Sequence, residues 1–196
     1  MKDRKAPQSG STRTAPTSET WNSVPWKKLE HHCFRIQKRI YRASQRGNQR
    51  AVHKLQKLLM KSEAARLLAV RRVTQENQGK KTAGGDGVKS VRPKERLLMA
   101  RHIHPTYWKH IKAQPVRRVW IPKPGKSEKR PLGMPVWTDK LLQEVIRLIL
   151  EAYYNVQFSD HSHGFRPGRG CHTALSEIKT TWTGTKWFIE LRHEVA

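Results

Sequence analysis

Acidic residues are scarce in this 196-residue chain: 15 Asp and Glu stand against 40 Lys and Arg, a formal charge of +25. The excess runs from Lys2 to Arg192 and is not confined to one tail. Such a field repels itself unless a polyanion is close. RNA, DNA and an anionic membrane surface supply a dense negative lattice, and a nucleic acid is favoured because no lipid anchor accompanies the charge. Long apolar runs are lacking too. Residues 67–70 and 148–150 fall far below the length of a membrane span, and residues 1–10 hold no apolar signal core. The expectation is a soluble cytoplasmic protein, or an organellar one if the gene lies in an organelle, with no membrane partner. Two cysteines, Cys33 and Cys171, are too few for a disulfide framework and read as reduced thiols. The length suits one ordinary domain or two small ones.

Residues 1–20 are rich in Lys, Ser, Thr, Pro and Gly and offer almost nothing to bury, so they read as a disordered basic tail. After Pro25, which suits a first helical turn, Leu29, Phe34, Ile36, Ile40 and Tyr41 fall roughly at helical spacing until Gly47 and Asn48 break it. A second helical stretch, residues 49–77, places Val52, Leu55, Leu58, Leu59, Leu67, Leu68, Val70 and Val73 on one side, with Ser62 as a capping break. GKKTAGGDG, residues 79–87, holds four glycines in nine residues and reads as a loop. Pro93 opens a third helix that Pro105 closes, and a short turn carries Trp108 and Ile111.

The period then changes. VRRVWI (116–121) and PLGMPV (131–136) have strand composition and frame a basic hairpin tip. Residues 138–158 read as a long helix whose Leu141, Leu142, Val145, Ile146, Leu148 and Ile149 are nearly continuous apolar surface, so much of it is expected to be buried. HSHGFRPGRG (161–170) is a loop, residues 172–181 a helix, and residues 186–191 the start of a strand. The fold class is α+β and mostly α-helical.

The hairpin projects Arg117, Arg118, Lys123, Lys126, Lys129 and Arg130. Two readings fit: a phosphate-binding turn, where a hairpin fixes planar guanidinium forks and ammonium point charges, or a solvated basic turn of the kind any strongly basic chain contains. A family resemblance favours the first. RRVWIPKPGKSEKRPLGMPVWTDKLLQ (117–143) closely resembles the first reverse-transcriptase block of group II intron proteins, R-x-x-x-I-P-K-P, a basic turn, R-P-L-G-I-P and D-R-x-x-Q, with Met134 and Lys140 as mild departures. SHGFRPGRGCH (162–172) resembles the second block, S-x-G-F-R-P-G-R-S-x-H, with Gly170 in place of Ser. Residues 26–73 followed by GKKTAGGDGV resemble the N-terminal extension of the same family, whose loop is usually T-P-G-V-D-G; Ala83 and Gly85 depart from it but stay small. The resemblance covers roughly residues 21–190.

It implies a helical RNA-binding N-terminal extension (21–92), then the fingers and the start of the palm of a right-hand polymerase (93–196), incomplete. By motif position Arg117, Lys123 and Arg130 would hold the triphosphate of an incoming nucleotide. Phe165, Arg166 and Arg169 would meet template or primer by stacking and charge. Basic helix faces such as Arg35, Lys38, Arg39 and Arg42 would grip group II intron RNA. The complete enzymes use Mg²⁺ held by aspartates, one in an F-I-E-G-D-I block and a pair in Y-A-D-D. Neither group is present: the chain reads Trp187-Phe188-Ile189-Glu190 and then LRHEVA where the family continues Gly-Asp. The expectation is therefore a truncated reverse transcriptase/maturase with no catalytic residue, no cofactor and no polymerase activity of its own, whose strand at 186–191 lacks its sheet partners. A stand-alone RNA-binding module, half of a split enzyme completed by a separate palm polypeptide, and a functionless relic remain open, with DNA as a second possible polyanion.

Other signals are weaker. His161, His163, Cys171 and His172 cluster in sequence, yet no second ligand group gives zinc spacing, and His31, His32 and Cys33 fail likewise, so no metal site is expected. Gly79-Lys80 lacks the spacing of a phosphate loop. The tryptophans read mainly as core anchors, with Trp120 and Trp182 as candidate stacking exceptions.

Overall fold

The computed structural model describes residues 21–77, 82–184 and 187. The expected tail at 1–20 lies outside them, as does the expected strand at 186–191 apart from Trp187, which is not in a strand. Among the described residues there are six α-helices and one two-stranded sheet: α1 (Trp26–Gln45), α2 (Gln49–Lys61), α3 (Glu63–Arg71), α4 (Pro93–His102), β1 (Arg117–Pro122), β2 (Lys129–Met134), α5 (Trp137–Tyr154) and α6 (Cys171–Thr181). The fold is α+β and mostly helical. It divides into two compact units, one ending at Tyr153 and one beginning at Tyr154. No described helix is long and apolar enough to cross a membrane.

In the first unit the buried stripe of α1 is Cys33, Ile36, Ile40 and Ala43, the three-and-four spacing that lines one side of a helix. Burial pushes the Cys33 thiol up to about 11, which keeps it protonated and unreactive. Gly47 ends the helix with φ +67°, a left-handed position that glycine occupies without a Cβ clash. Asn48 then starts α2 by accepting a hydrogen bond from the Ala51 N–H at 3.0 Å. The expected break at Ser62 is present: its extended backbone, φ −64° and ψ 126°, separates α2 from α3. α3 runs on into a π-helical turn, Arg72–Glu76, where the Thr74 hydroxyl donates to the Val70 carbonyl at 2.7 Å.

Two expectations about burial are corrected. Phe34 does not join the buried side of α1 and is 60 % exposed, because the core stripe passes through Cys33 and Ile36 and leaves position 34 facing outward. On α5 only one stripe is buried, with Leu141, Val145, Ile149 and Ala152 inside, whereas Ile146 and Leu150 remain exposed. Each of those large buried side chains contributes roughly 1.5–3 kcal/mol relative to exposure. Helix α5 joins the core of α1 to α4, and Gln37 of α1 donates to the Leu148 carbonyl at 2.9 Å. Trp21 and Trp26 meet edge to face at 4.9 Å, with Arg96 over the first ring and Arg71 over the second.

The strands lie a little off their expected bounds. β1 and β2 pair antiparallel from Arg117 opposite Met134 to Pro122 opposite Lys129. The short second unit contains the loop at 159–170 and α6, which has no buried residue.

Candidate nucleic-acid interface

Three groups of candidate residues occupy different elements. On α1, Arg35, Lys38, Arg39 and Arg42 are all exposed, turned away from the buried stripe. On α2, Arg50, Lys54, Lys57 and Lys61 are exposed as well. The only acidic residue of α1, Glu30, is engaged by Arg71 at 2.9 Å, so it does little to offset this field.

On the hairpin, cross-strand partners share a face, which puts Arg117, Val119 and Ile121 on one side with Arg130, Leu132 and Met134. Arg117 and Arg130 therefore flank a strip of apolar residues, about 13 Å apart along the strand by the usual rise per residue. Both are exposed, and among the described residues neither has an ion-pair partner. Lys123 differs: its ammonium is 2.7 Å from Glu128 and holds that carboxyl below the usual carboxylate range. Its backbone N–H also donates to the Glu128 carbonyl at 3.0 Å, closing the turn. The structure thus brings two of the three expected phosphate ligands onto one face with free charges and gives the third a partner. Trp120 is exposed on the opposite face, in register with Pro131, with Arg118 and Lys129 on the same face.

The GFRPGR loop is stapled by its two arginines. Arg166 donates from Nε to Asn155 Oδ1 at 3.0 Å, and from its terminal nitrogens to the carbonyls of Ser159 at 2.7 Å, Ser162 at 3.1 Å and Asn155 at 3.2 Å. Its guanidinium also lies over the Phe158 ring. Arg169 donates to the Asp160 carbonyl and stands 3.8 Å from the Asp160 carboxylate. Both charges are thereby turned into the loop. Phe165 is displayed: it is fully exposed and has φ +55°, among the described residues the only non-glycine residue with positive φ.

The histidines that invited a metal reading engage one carboxylate. His161 Nδ1 and His163 Nε2 both bond Glu177 on α6, the latter at 2.5 Å, and His163 Nδ1 lies 2.9 Å from Thr173 Oγ1. The hydrogen bond to Glu177 raises His161 above its ordinary pKa, and the two histidines lower Glu177. Cys171 is exposed. Asp139 accepts from the Gln114 N–H at 3.2 Å, and Asp160 faces solvent beside Arg169.

One positioning residue was missed by sequence reasoning. Asp86 accepts from the Trp137 N–H at 2.9 Å and from the Val88 N–H at 3.3 Å, while the Trp137 indole donates to the Val88 carbonyl at 2.9 Å. The same loop packs so closely on Pro135 that a Cβ at Gly84 would overlap the Pro135 carbonyl. The Asp-Gly pair in GKKTAGGDG was the available signal. An aspartate two residues before Val88 forms an Asx turn locally, but its distant partner has no trace in the sequence.

Residues 21–103 match the family described as the N-terminal domain of reverse transcriptase. The chain is 56 % identical over 77 residues to the group II intron-encoded protein LtrA of Lactococcus lactis subsp. cremoris, a match covering 39 % of this chain and 13 % of LtrA. It is 41 % identical over 56 residues to the mitochondrial nuclear intron maturase 1 of Arabidopsis thaliana, covering 29 % of this chain and 8 % of that protein. Against protein YkfC of Escherichia coli it is 32 % identical over 126 residues, 61 % of this chain and 33 % of YkfC. The chain thus spans a third or less of these relatives. Residues 21–103 are thus the N-terminal domain of a reverse transcriptase, similar over the matched residues to group II intron-encoded proteins and intron maturases.

Proposed function

We propose that this chain binds RNA, with a group II intron RNA as its preferred partner, and that the grip is made by the outward faces of α1 and α2. The observation that carries this is the row Arg35, Lys38, Arg39 and Arg42, exposed together on a domain of the reverse-transcriptase N-terminal family. Their side chains neutralise phosphates and release counterions, which supplies affinity without reading bases. Phe165 offers an aromatic face to an unpaired base, held out by a loop whose own arginines fix its shape. Arg117 and Arg130, with Lys123 once Glu128 lets go, suit the phosphates of a nucleotide. Arg166 and Arg169 support the loop in the free protein, so their share in binding is indirect. We assign the chain no polymerase step of its own.

The test is a salt titration of binding to a labelled intron RNA. About six phosphate contacts give a slope of log K against log salt near −4, at about −0.7 per contact on single strands. Changing Arg35, Lys38, Arg39 and Arg42 to Gln should flatten that slope by about 3. A slope unchanged by those four substitutions would move the binding face elsewhere.

A further inference from the structure

We infer that Phe34 stacks on an unpaired base, so that α1 recognises RNA carrying a bulged or single-stranded nucleotide and does more than track phosphates. This rests on the RNA-binding reading of α1 and extends it. Phe34 is 60 % exposed, an unusual position for a large aromatic ring on a helix with a full buried stripe available. Its neighbours settle what it faces. Residues three, four and seven positions away lie on the same side of a helix: Lys27, Glu30, His31 and Lys38, which are exposed, and Gln37 and Tyr41, which are half-buried. Arg35 and Arg42 flank the stripe, and Glu30, the one nearby carboxylate, is held by Arg71.

An apolar partner would not be set among cations whose desolvation goes uncompensated in the absence of opposite charge. A duplex presents phosphates but buries its base faces. A nucleic acid with an unstacked base presents both, and each base has a π-face that an aromatic ring can cover whatever its sequence. Lys38, one turn on, and Lys27, two turns back, then reach the phosphates on either side of the stacked nucleotide.

The experiment uses the full chain with two RNA hairpins that differ by one unpaired 2-aminopurine in the stem. The proposal predicts tighter binding to the bulged hairpin, with fluorescence quenching of the 2-aminopurine on binding. Phe34→Leu keeps an apolar side chain and should lose about tenfold on the bulged hairpin, which is about 1.4 kcal/mol, and nothing on the paired one; Phe34→Trp should restore affinity and quenching. Neutralising Arg35, Lys38, Arg39 and Arg42 should weaken both hairpins alike. Three results would overturn the stacking role: no effect of Phe34→Leu on either RNA, an equal effect on both, or no quenching. In the first of these, retained salt-dependent binding would leave the RNA reading standing, whereas absence of binding by the unaltered chain would sink both.

Discussion

Asp86 and Trp137 stand 51 residues apart in sequence, and the Asp86 carboxylate accepts the backbone N–H that opens α5 at 2.9 Å. A negative group at a helix start satisfies an otherwise unpaired donor and meets the positive end of the helix dipole. The bond ties the loop after α3 to the helix that follows the basic hairpin, so the hairpin is seated from both sides of its sequence. Asp86→Ala should destabilise the first unit by about 1–2 kcal/mol in chemical denaturation, within the range for lost N-terminal caps. Asp86→Asn should recover part of that. No change in the midpoint for the alanine variant would show that Gly84 and Trp137 seat the loop without it.

Phe165 carries a separable prediction, because its left-handed backbone costs stability while its exposed ring contributes none. Phe165→Gly should leave the melting temperature unchanged or higher, and should weaken binding to single-stranded RNA. Arg166→Lys should do the reverse first: the planar fork that reaches Asn155, Ser159 and Ser162 is lost, and amide exchange across 159–166 should speed up before any change in RNA affinity at low salt.

The clamp of His161 and His163 on Glu177 predicts a pH window for the second unit. Glu177 is lowered from its ordinary 4.5, so its contribution is present above that value and is lost as pH falls through the depressed value. His161 is raised from 6.5, so its contribution is full below 6.5 and is lost as pH rises through the elevated value. Protection of the 160–164 amides should therefore be greatest between about pH 4.5 and 6.5 and decline as pH rises through the raised His161 value. Glu177→Gln should abolish that decline, and a pH-independent protection in the unaltered chain would remove the clamp from the account.

How much was legible follows from where the information resides. Helix starts and stops are local, and Pro25, Gly47, Asn48, Ser62 and Pro93 mark them within a residue or two of α1 to α4. The hairpin was legible for the same reason, since VRRVWI and PLGMPV differ in composition from the basic turn between them. Phe34 and Ile146 were misplaced because an apolar residue shows its side of a helix only through what packs there, and crowded apolar sequence fits more than one stripe. The occupation of Lys123 by Glu128, of Arg166 by four acceptors, and of Trp137 by Asp86 depends on side chains brought together by folding, which no spacing rule reports. Motif resemblance singled out Arg117, Arg130, Phe165, Arg166 and Arg169, but not that the last two hold the loop.

On the proposed reading the 196-residue chain should make no DNA on a primed RNA template with Mg²⁺ and all four deoxynucleotides; among the described residues no group of three or more acidic, His or Cys side chains is placed to hold a metal ion. Primer extension by rigorously purified protein would place a catalytic centre among residues assigned no such role here.

The central claim is that α1 and its neighbours form a specific RNA grip and not merely a basic surface. Competition binding at physiological salt between a folded group II intron RNA and an unrelated structured RNA of equal length measures this most directly. The account predicts at least a tenfold preference for the intron, about 1.4 kcal/mol, which is eroded by neutralising Arg35, Lys38, Arg39 and Arg42 and spared by neutralising Arg117, Lys123 and Arg130. Equal affinity for the two RNAs would contradict it.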